Sequence, residues 1–525
     1  MGQEVSAEQL GREQRRAYRE KLHQCLEVLG AMLDEHATGT PTGTSTRSLF
    51  ESAPPLTGME VELVLVDDAL APHRGNADVL SALAGTDLGP DFQPEIGAHT
   101  LELNVPPGTV TGNGLAALEE RLRASLNGAD ARAAAAGARI LMLGVLPTLG
   151  PEHLSGDWMT SSVRYRALQE AVLGARGEQV EVDLREPADG PGARARGSEP
   201  PERLSLVTDS IAAESACTSI QLHLKVAPEE FGATWNAAQL LMGPQLALGA
   251  NSPFALGRRL WAETRVELFA QSVDTRTPEL AAQGVRPRTF VGEGWAGSGA
   301  RAAWDLFAQD VAWFPPLLPQ LSDEDPVAEL DAGRAPHLAE LSLHSGTVWR
   351  WNRPVYDVVD GRAHLRVENR VLPAGPTVVD AMANAALYYG ALRVLVEDGP
   401  DPAALLDPAV VPAAFTDCAR RGMDGEVRWP GLGRVGAQRL LLDHLLPMAA
   451  EGLSRWGVTG ESVDRYLGVA QARAASGRTG ARWQVDAVAA LEERGADRWT
   501  ALRGMLERYA EGMASNTPVH TWALP

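Results

Sequence analysis

The stretch His364–Pro373, HLRVENRVLP, decides how this chain is read. Arg366, Glu368 and Arg370 stand two residues apart in an otherwise apolar run. Side chains alternate faces along a β-strand, so the spacing predicts that all three point the same way. A carboxylate flanked by two guanidiniums is expensive to bury and unnecessary for folding. Two readings follow. One is a surface ladder of ion pairs. The other is a site for metal-bound phosphate, in which Glu holds the cation and Arg meets the phosphoryl oxygens.

Three further segments have the same form. Thr57–Asp67, TGMEVELVLVD, alternates Glu60 and Glu62 with apolar residues. Asp91–Pro107, DFQPEIGAHTLELNVPP, carries Glu95 and then Glu102 and Asn104 in alternation. Ala216–Val226, ACTSIQLHLKV, alternates Gln221, His223 and Lys225 with Ile220, Leu222 and Leu224. Each predicts a short strand with one apolar and one ionisable face. Carboxylates on neighbouring strands repel unless cations lie between them. Four such strands therefore predict an α+β fold around a curved mixed or antiparallel sheet. Its concave face is polar and metal-lined, and helices lie behind it. Doubly wound folds place their chemistry in loops after apolar strands; here the chemistry lies within the strands.

Composition narrows the function. The net charge of −21 excludes nucleic acid and anionic membranes as expected partners. The apolar fraction of 45% is ample for a core. The N-terminus is polar and helical in pattern rather than a signal peptide, and the most apolar stretch, Ile140–Leu149, is too short to span a bilayer. Cys25, Cys217 and Cys418 are scattered without metal-ligand spacing, which predicts a reducing cytoplasm and no disulfides. Only Lys21 and Lys225 are lysines, and neither sits in a Gly-rich phosphate loop. If the protein uses ATP, arginines and metal ions must handle the phosphates.

Along the chain, residues 6–36 read as an amphipathic helix and Thr38–Ser48 as a linker or mobile loop. Leu115–Ala138, Phe231–Gly249 and Pro376–Glu397 read as helices, the last with Pro376 at its first position. Glu186–Arg203 is a long polar loop, either a flap or disordered. The expected divisions are an N-terminal helix and linker (1–48), a catalytic core (49–395) and a helical C-terminal extension packed on it (396–525).

The pattern resembles the glutamate–cysteine ligase family, in its bacterial carboxylate–amine ligase branch within the glutamine synthetase/guanido kinase-like superfamily. The resemblance runs through GMEVE (Gly58–Glu62), PEIGAHTLELN (Pro94–Asn104), VRY (Val163–Tyr165) and QLH (Gln221–His223). It continues through NSPF (Asn251–Phe254) and the GTVWRWNRP…RVENR block (Gly346–Arg370). It implies an ATP-dependent ligase in which Glu60, Glu62, Glu95, Glu102, His223 and Glu368 hold two or three Mg²⁺ ions. A histidine ligand also suits Mn²⁺. The family often has His-x-His or Gln-x-Asn where this chain has Gln221 and His223, so His223 is set against a hydrogen-bonded strand histidine.

By the same resemblance Arg370 stabilises the phosphoryl group in flight. Arg366 pairs with Glu368 or binds phosphate. Arg350 and Arg353, interleaved with Trp349 and Trp351, either cradle ATP or substrate carboxylate or form an aromatic core edge. Arg164 and Tyr165 either bind substrate carboxylate or start a helix. Asn104 either contacts substrate or orients Glu102. Gln221 and Lys225, on the His223 face, join the nucleotide- and substrate-binding set.

The implied reaction joins a small-molecule carboxylate to an amine: ATP phosphorylates the carboxylate, and the amine attacks the acyl phosphate. A glutamyl γ-amide is the expected product class, which would place the protein in glutathione biosynthesis. Two alternatives stand beside it, a phosphagen-type guanidino kinase and a non-catalytic regulatory homologue. A homo-oligomer is left open.

Overall fold

All four alternating segments contribute strands to one sheet. The computed structural model describes residues 11–39, 48–51, 53–190 and 200–525. Seven strands build the sheet: β1 (Thr57–Val66), β2 (Phe92–Pro94), β3 (Thr100–Gly108), β4 (Arg139–Leu141), β5 (Ser219–Val226), β6 (Asn352–Val359) and β7 (Arg362–Pro373). Their order is β6-β7-β5-β1-β3-β2, with β4 beside the end of β1. Every pairing is antiparallel, which settles the expected mixed-or-antiparallel choice.

The register stacks like positions across strands. Arg353 faces Glu368, Glu368 faces His223, and His223 faces Gly58. One row along, Gln221 faces Glu60, and Glu60 faces Asn104. Glu62 faces Glu102, and Glu102 faces Gln93. Because the side-chain period is two, this register gathers the ionisable residues on one face and the apolar residues on the other. Met59, Val61, Leu63, Leu101, Leu103, Leu222, Leu224, Leu365 and Val367 form the buried face.

Helices cover that buried face. The longer helices of the chain are α1 (Arg12–Thr38), α2 (Gly114–Ala133), α3 (Val163–Arg176, which lies beside Glu95 rather than on that face), α4 (Phe231–Gly249) and α5 (Val378–Asp398). Four more follow: α6 (Leu446–Arg455), α7 (Gly460–Ser476), α8 (Gly480–Glu493) and α9 (Arg498–Ser515). α4 matches its expected bounds, and nearly all its residues are buried. A helix apolar all round belongs in the interior, and α4 packs on β7 and α5. Its two inward glutamines are matched to sheet amides. Gln245 donates to Asn369, Asn369 to Asn352, and Asn352 to Gln239, at 2.9, 2.8 and 2.7 Å. This chain pairs polar groups that the sheet would otherwise bury at a cost.

The helix expected from Pro376 begins two residues later. Thr377 caps it by accepting from the Asp380 N–H, so the hydroxyl rather than the proline sets the start. The polar segment at 186–203 joins two strands not foreseen, Val180–Arg185 and Arg203–Thr208, which pair antiparallel. Residues 6–10 of the expected first helix, 40–47 of the expected linker and 191–199 of the expected loop lie outside the described residues.

The C-terminal helices are tied into the core. One continuous apolar cluster runs from Tyr18 through the sheet to Ala474. A second joins Val64 and Leu143 to Trp483, Tyr509 and Trp522. Arg473 of α7, fully buried, bonds the Leu248 carbonyl and Asn384 at 3.2 and 2.7 Å. The NSPF turn is a fastener of the same kind. Asn251 donates to the Ala374 carbonyl at 2.7 Å and to Tyr509 Oη at 2.8 Å, while Gln484 donates to Asn251. At Gly375, φ is +81° and a Cβ would lie 2.1 Å from the Met142 carbonyl oxygen, so only glycine fits. Among the described residues no helix is long and apolar enough to cross a membrane.

Candidate functional site

The ionisable face of the sheet gathers its carboxylates into two trios. Glu60, His223 and Glu368 form one; Glu62, Glu95 and Glu102 form the other. Within each, one ligand atom per residue lies within 4.8 Å of the others. All six residues expected to hold metal are thus brought together, three and three. Strand register explains five of them. Glu95 arrives differently, from the connection between β2 and β3, where Thr160 Oγ1 bonds its backbone carbonyl.

The Glu60–His223–Glu368 trio is balanced by cations. Glu368 is fully buried. Arg353 Nε donates to its Oε2 at 2.7 Å, and Arg370 donates to its Oε1 at 2.5 Å. Burial opposes ionisation of Glu368, but Arg353 and Arg370 outweigh it and hold the carboxyl well below the usual range. Glu60 follows the same pattern: burial raises it, and His223 brings it down to about 2. His223 is 7% exposed, and neither ring nitrogen has a hydrogen-bond partner. Its Nε2 lies 3.2 Å from Glu60 Oε1, near enough for Coulomb attraction but without hydrogen-bond geometry. A buried imidazole without a hydrogen bond, set beside two carboxylates, suits a metal ligand better than a packed strand histidine.

The Glu62–Glu95–Glu102 trio has only neutral partners among the described residues. Glu62 accepts from the Ser219 N–H at 2.6 Å and from Gln221 at 3.0 Å. Glu102 accepts from Asn104 at 2.6 Å, so Asn104 orients that carboxylate. Burial first, then repulsion from Glu102 and Glu62, raises Glu95 well above the carboxylate range, and burial followed by Glu60 raises Glu102. Burial lifts Glu62 to about 7 against the pull of Arg370. Three carboxylates this close, with no ion-pair partner among the described residues, are the arrangement a hard divalent cation relieves.

Gln221 joins the trios. Its Oε1 accepts from Arg370 at 2.6 Å while its Nε2 donates to Glu62. At the edge, Arg164 and Tyr165 open α3 next to Glu95. Tyr165 donates to the Pro94 carbonyl at 2.9 Å, and burial followed by Glu95 raises its phenol. Burial depresses Arg164, which feels Glu95 and Arg353.

Three expected site residues stand elsewhere. Arg350 is fully buried and donates to Asp310 at 2.8 Å, over the ring of Phe290, so it serves the core. Trp351 packs on Phe415 with ring centroids 5.1 Å apart and is likewise buried, which favours the core-edge reading over an adenine cradle. Arg366 bonds Asp357 at 3.1 Å rather than Glu368, whose second guanidinium is Arg353. The strand spacing put Arg366 on the right face, but it is one residue pair too far along. Lys225 lies 3.4 Å from Glu51 at the sheet's end, away from both trios.

Sequence reasoning missed Glu214. It stands on the short 3₁₀ turn Ile211–Ala216 before β5. Burial, then the charge of Glu62, lifts its carboxyl to about 8. The available signal was a single acid inside the small, apolar run IAAESAC.

Over 115 residues the chain is 32% identical to "Putative glutamate--cysteine ligase 2-1" of Saccharopolyspora erythraea, covering 22% of this chain. The match spans only 29% of that relative's own length. Among solved structures, glutamate–cysteine ligase of Francisella tularensis in complex with AMP has a similar fold. The likeness covers 91% of each chain at 12% identity, with a TM-score of 0.50. Residues 56–295 match the model of glutamate-cysteine ligase family 2. Residues 56–295 of this chain are therefore similar to glutamate-cysteine ligase family 2, and the solved structure shares its fold.

Proposed function

We propose that this protein is an ATP- and Mg²⁺-dependent carboxylate–amine ligase of the glutamate–cysteine ligase type. The observation that carries the proposal is the pair of trios on one sheet face, with two guanidiniums closing on Glu368. The match of residues 56–295 to the glutamate-cysteine ligase family 2 model supports it, and the fold shared with a ligase solved with AMP is consistent with it.

In this reading Glu62, Glu95 and Glu102 hold one divalent cation and Glu60, His223 and Glu368 another. Once bound, the cations supply neutralisation of phosphate charge and alignment of donor with acceptor. Arg370, fixed by Gln221 and Glu368, presents its guanidinium to the transferring phosphoryl group. A substrate carboxylate oxygen attacks the γ-phosphorus and ADP leaves. The amine nitrogen then attacks the acyl carbon, the C–O bond breaks, and phosphate departs with that oxygen. The nitrogen's proton passes to solvent or to a carboxylate of the face. Arg164, at the rim with Tyr165, is placed to pair with a substrate carboxylate. The proposed substrates are L-glutamate, through its γ-carboxylate, and an amine such as L-cysteine. We place the protein in the cytoplasm, acting on small molecules rather than on nucleic acid or membranes.

One observation weighs against the phosphagen-kinase alternative. Such kinases commonly present a reactive Cys near the guanidine, whereas all three cysteines here are buried. Burial, aided by Glu340, lifts the Cys25 thiol to about 12, and burial raises Cys217 and Cys418 as well. A buried thiol with a raised pKa is unreactive.

The test is an ATP-dependent phosphate-release screen across amino acids and amines with glutamate present, followed by mass spectrometry of the product. Release of phosphate with a stoichiometric amide supports the proposal. ADP with a phosphorylated guanidine would establish the kinase, and no turnover with any pair the non-catalytic homologue.

A further inference from the structure

Where β5 ends, the sheet and the helices α4, α5 and α6 do not close on one another. Gly390 of α5 and Gly452 of α6 meet so tightly that a Cβ at Gly452 would lie 1.8 Å from the Gly390 carbonyl oxygen. A turn further on, Arg393 and Trp456 stand between the same two helices, with the guanidinium 4.8 Å from the centroid of the indole ring. Side chains of that size hold the helix ends apart. The gap they leave against Leu224, Val226 and the start of α4 is a cavity of about 420 Å³, a size at which small-molecule sites occur. It lies at the Lys225 end of β5, and no residue of either trio lines it.

The wall joins an apolar part to a polar one. Leu224, Val226, Leu392 and Val396 supply the apolar part. On the polar part, Arg393 Nε and the Trp456 indole N–H are both buried, and among the described residues neither has an acceptor. Buried donors in folded proteins are nearly always paired, so two orphans on one wall call for an explanation. The other cations of the cavity are engaged. Arg455 is held by Glu397, Asp398 and Glu451, and Lys225 by Glu51. Arg393 gives only its Nη2 edge to Glu397, and its side chain, 31% exposed, has room to turn the Nε edge inward.

We propose that this cavity is a binding site for a small carboxylic acid with an apolar body. One carboxylate oxygen accepts from Arg393 Nε and the other from Trp456 Nε1, while the chain or ring of the ligand lies against Leu224, Val226, Leu392 and Val396. A carboxylate suits the two donors better than a neutral carbonyl, because it has an oxygen for each and its charge meets that of the guanidinium. An ammonium offers no acceptor and would face the guanidinium's like charge. A mostly apolar wall with a few convergent polar groups is the composition that such sites have.

The experiment is isothermal titration calorimetry of the full chain with octanoate, with acetate and octylamine as comparisons. Wild type should bind one octanoate saturably. It should give no saturable heat with acetate, which lacks the body, or with octylamine, which lacks the acceptor. Trp456→Phe keeps an aromatic ring under Arg393 and removes the N–H. It should weaken octanoate about tenfold or more, the scale of a hydrogen bond to a charged partner. Ala227→Leu, at a lining position outside any helix or strand, should fill the space and abolish binding, with a thermal melt near that of wild type to show that the fold is kept. Absence of saturable octanoate binding by wild type would overturn the proposal. So would an affinity unchanged in Trp456→Phe, which would place the heat elsewhere on the molecule. Either result leaves the ligase reading untouched, since the trios are not part of the cavity.

Discussion

Replacing Glu95 with Gln should stabilise the metal-free protein and remove most of its stabilisation by Mg²⁺. Glu95 is the cleanest of the three carboxylates to change. Among the described residues its backbone donor is the N–H of Ile96, at 3.1 Å, which a Gln oxygen can still satisfy. Glu62 would instead set an amide against the Ser219 N–H, and Glu102 would disturb Asn104. The trio's ligand atoms lie within 4.8 Å of one another, where one pair of unit charges costs roughly 3.5 kcal/mol at an effective dielectric of about 20. Glu95 has two such neighbours, but its raised pKa means that protonation already relieves part of the repulsion. We therefore take the gain as about one pair, or about 3 kcal/mol. At roughly 2.1 cal/mol/K of unfolding entropy per residue, 525 residues turn that into a rise in Tm of about 3 °C. The assay is differential scanning calorimetry near neutral pH, in EDTA and in excess Mg²⁺. Wild type should rise clearly with Mg²⁺, and Glu95→Gln only slightly. A variant that melts lower in EDTA and responds to Mg²⁺ like wild type would refute the reasoning.

Three other outcomes are expected. Arg370→Lys keeps a charge but loses the fork that meets Gln221 and Glu368 together, so kcat should fall about a hundredfold with KM for ATP little changed; a raised KM with kcat intact would make Arg370 a plain binding residue. Nucleotide affinity, measured by calorimetry, should survive Lys21→Met with Lys225→Met, because those lysines bond Ser322 and Glu51 rather than either trio; a collapse would show that the phosphate contacts are wrongly assigned. Burial lowers His344 to about 4, so the unfolded chain binds its proton first and stability should drain away as pH falls from about 6.5 to about 4. That loss approaches about 3 kcal/mol, and denaturant melts of His344→Asn should show a shallower decline over that window.

The sheet was legible because its strands obey a period of two with opposite chemistry on the two faces. Glu60, Glu62, Glu102, His223 and Glu368 could be placed on one face from spacing alone. What spacing cannot give is register between strands. The sequence put Arg366 beside Glu368 because both lie on one strand, whereas Arg353 comes closer from the neighbouring strand through a pairing no local pattern encodes. Arg350 misled for a related reason. A charged residue between tryptophans looks like a ligand contact until its buried partner is known, and Asp310 is forty residues away in sequence. Glu214 and the hairpin Val180–Arg185/Arg203–Thr208 carry short or isolated signals that are outweighed by their surroundings. The residues that pin the C-terminal helices to the sheet, Asn251, Gln484 and Tyr509, matter only through contacts across hundreds of positions.

The central claim is that this sheet face activates a carboxylate through phosphoryl transfer, and isotope tracing tests it most directly. Glutamate labelled with ¹⁸O in its γ-carboxylate is turned over with ATP and the amine identified in the screen, and the released phosphate is analysed by mass spectrometry. An acyl phosphate hands one carboxylate oxygen to phosphate at each turnover, so the account predicts one ¹⁸O in each phosphate formed. Amide formation accompanied by unlabelled phosphate would contradict it.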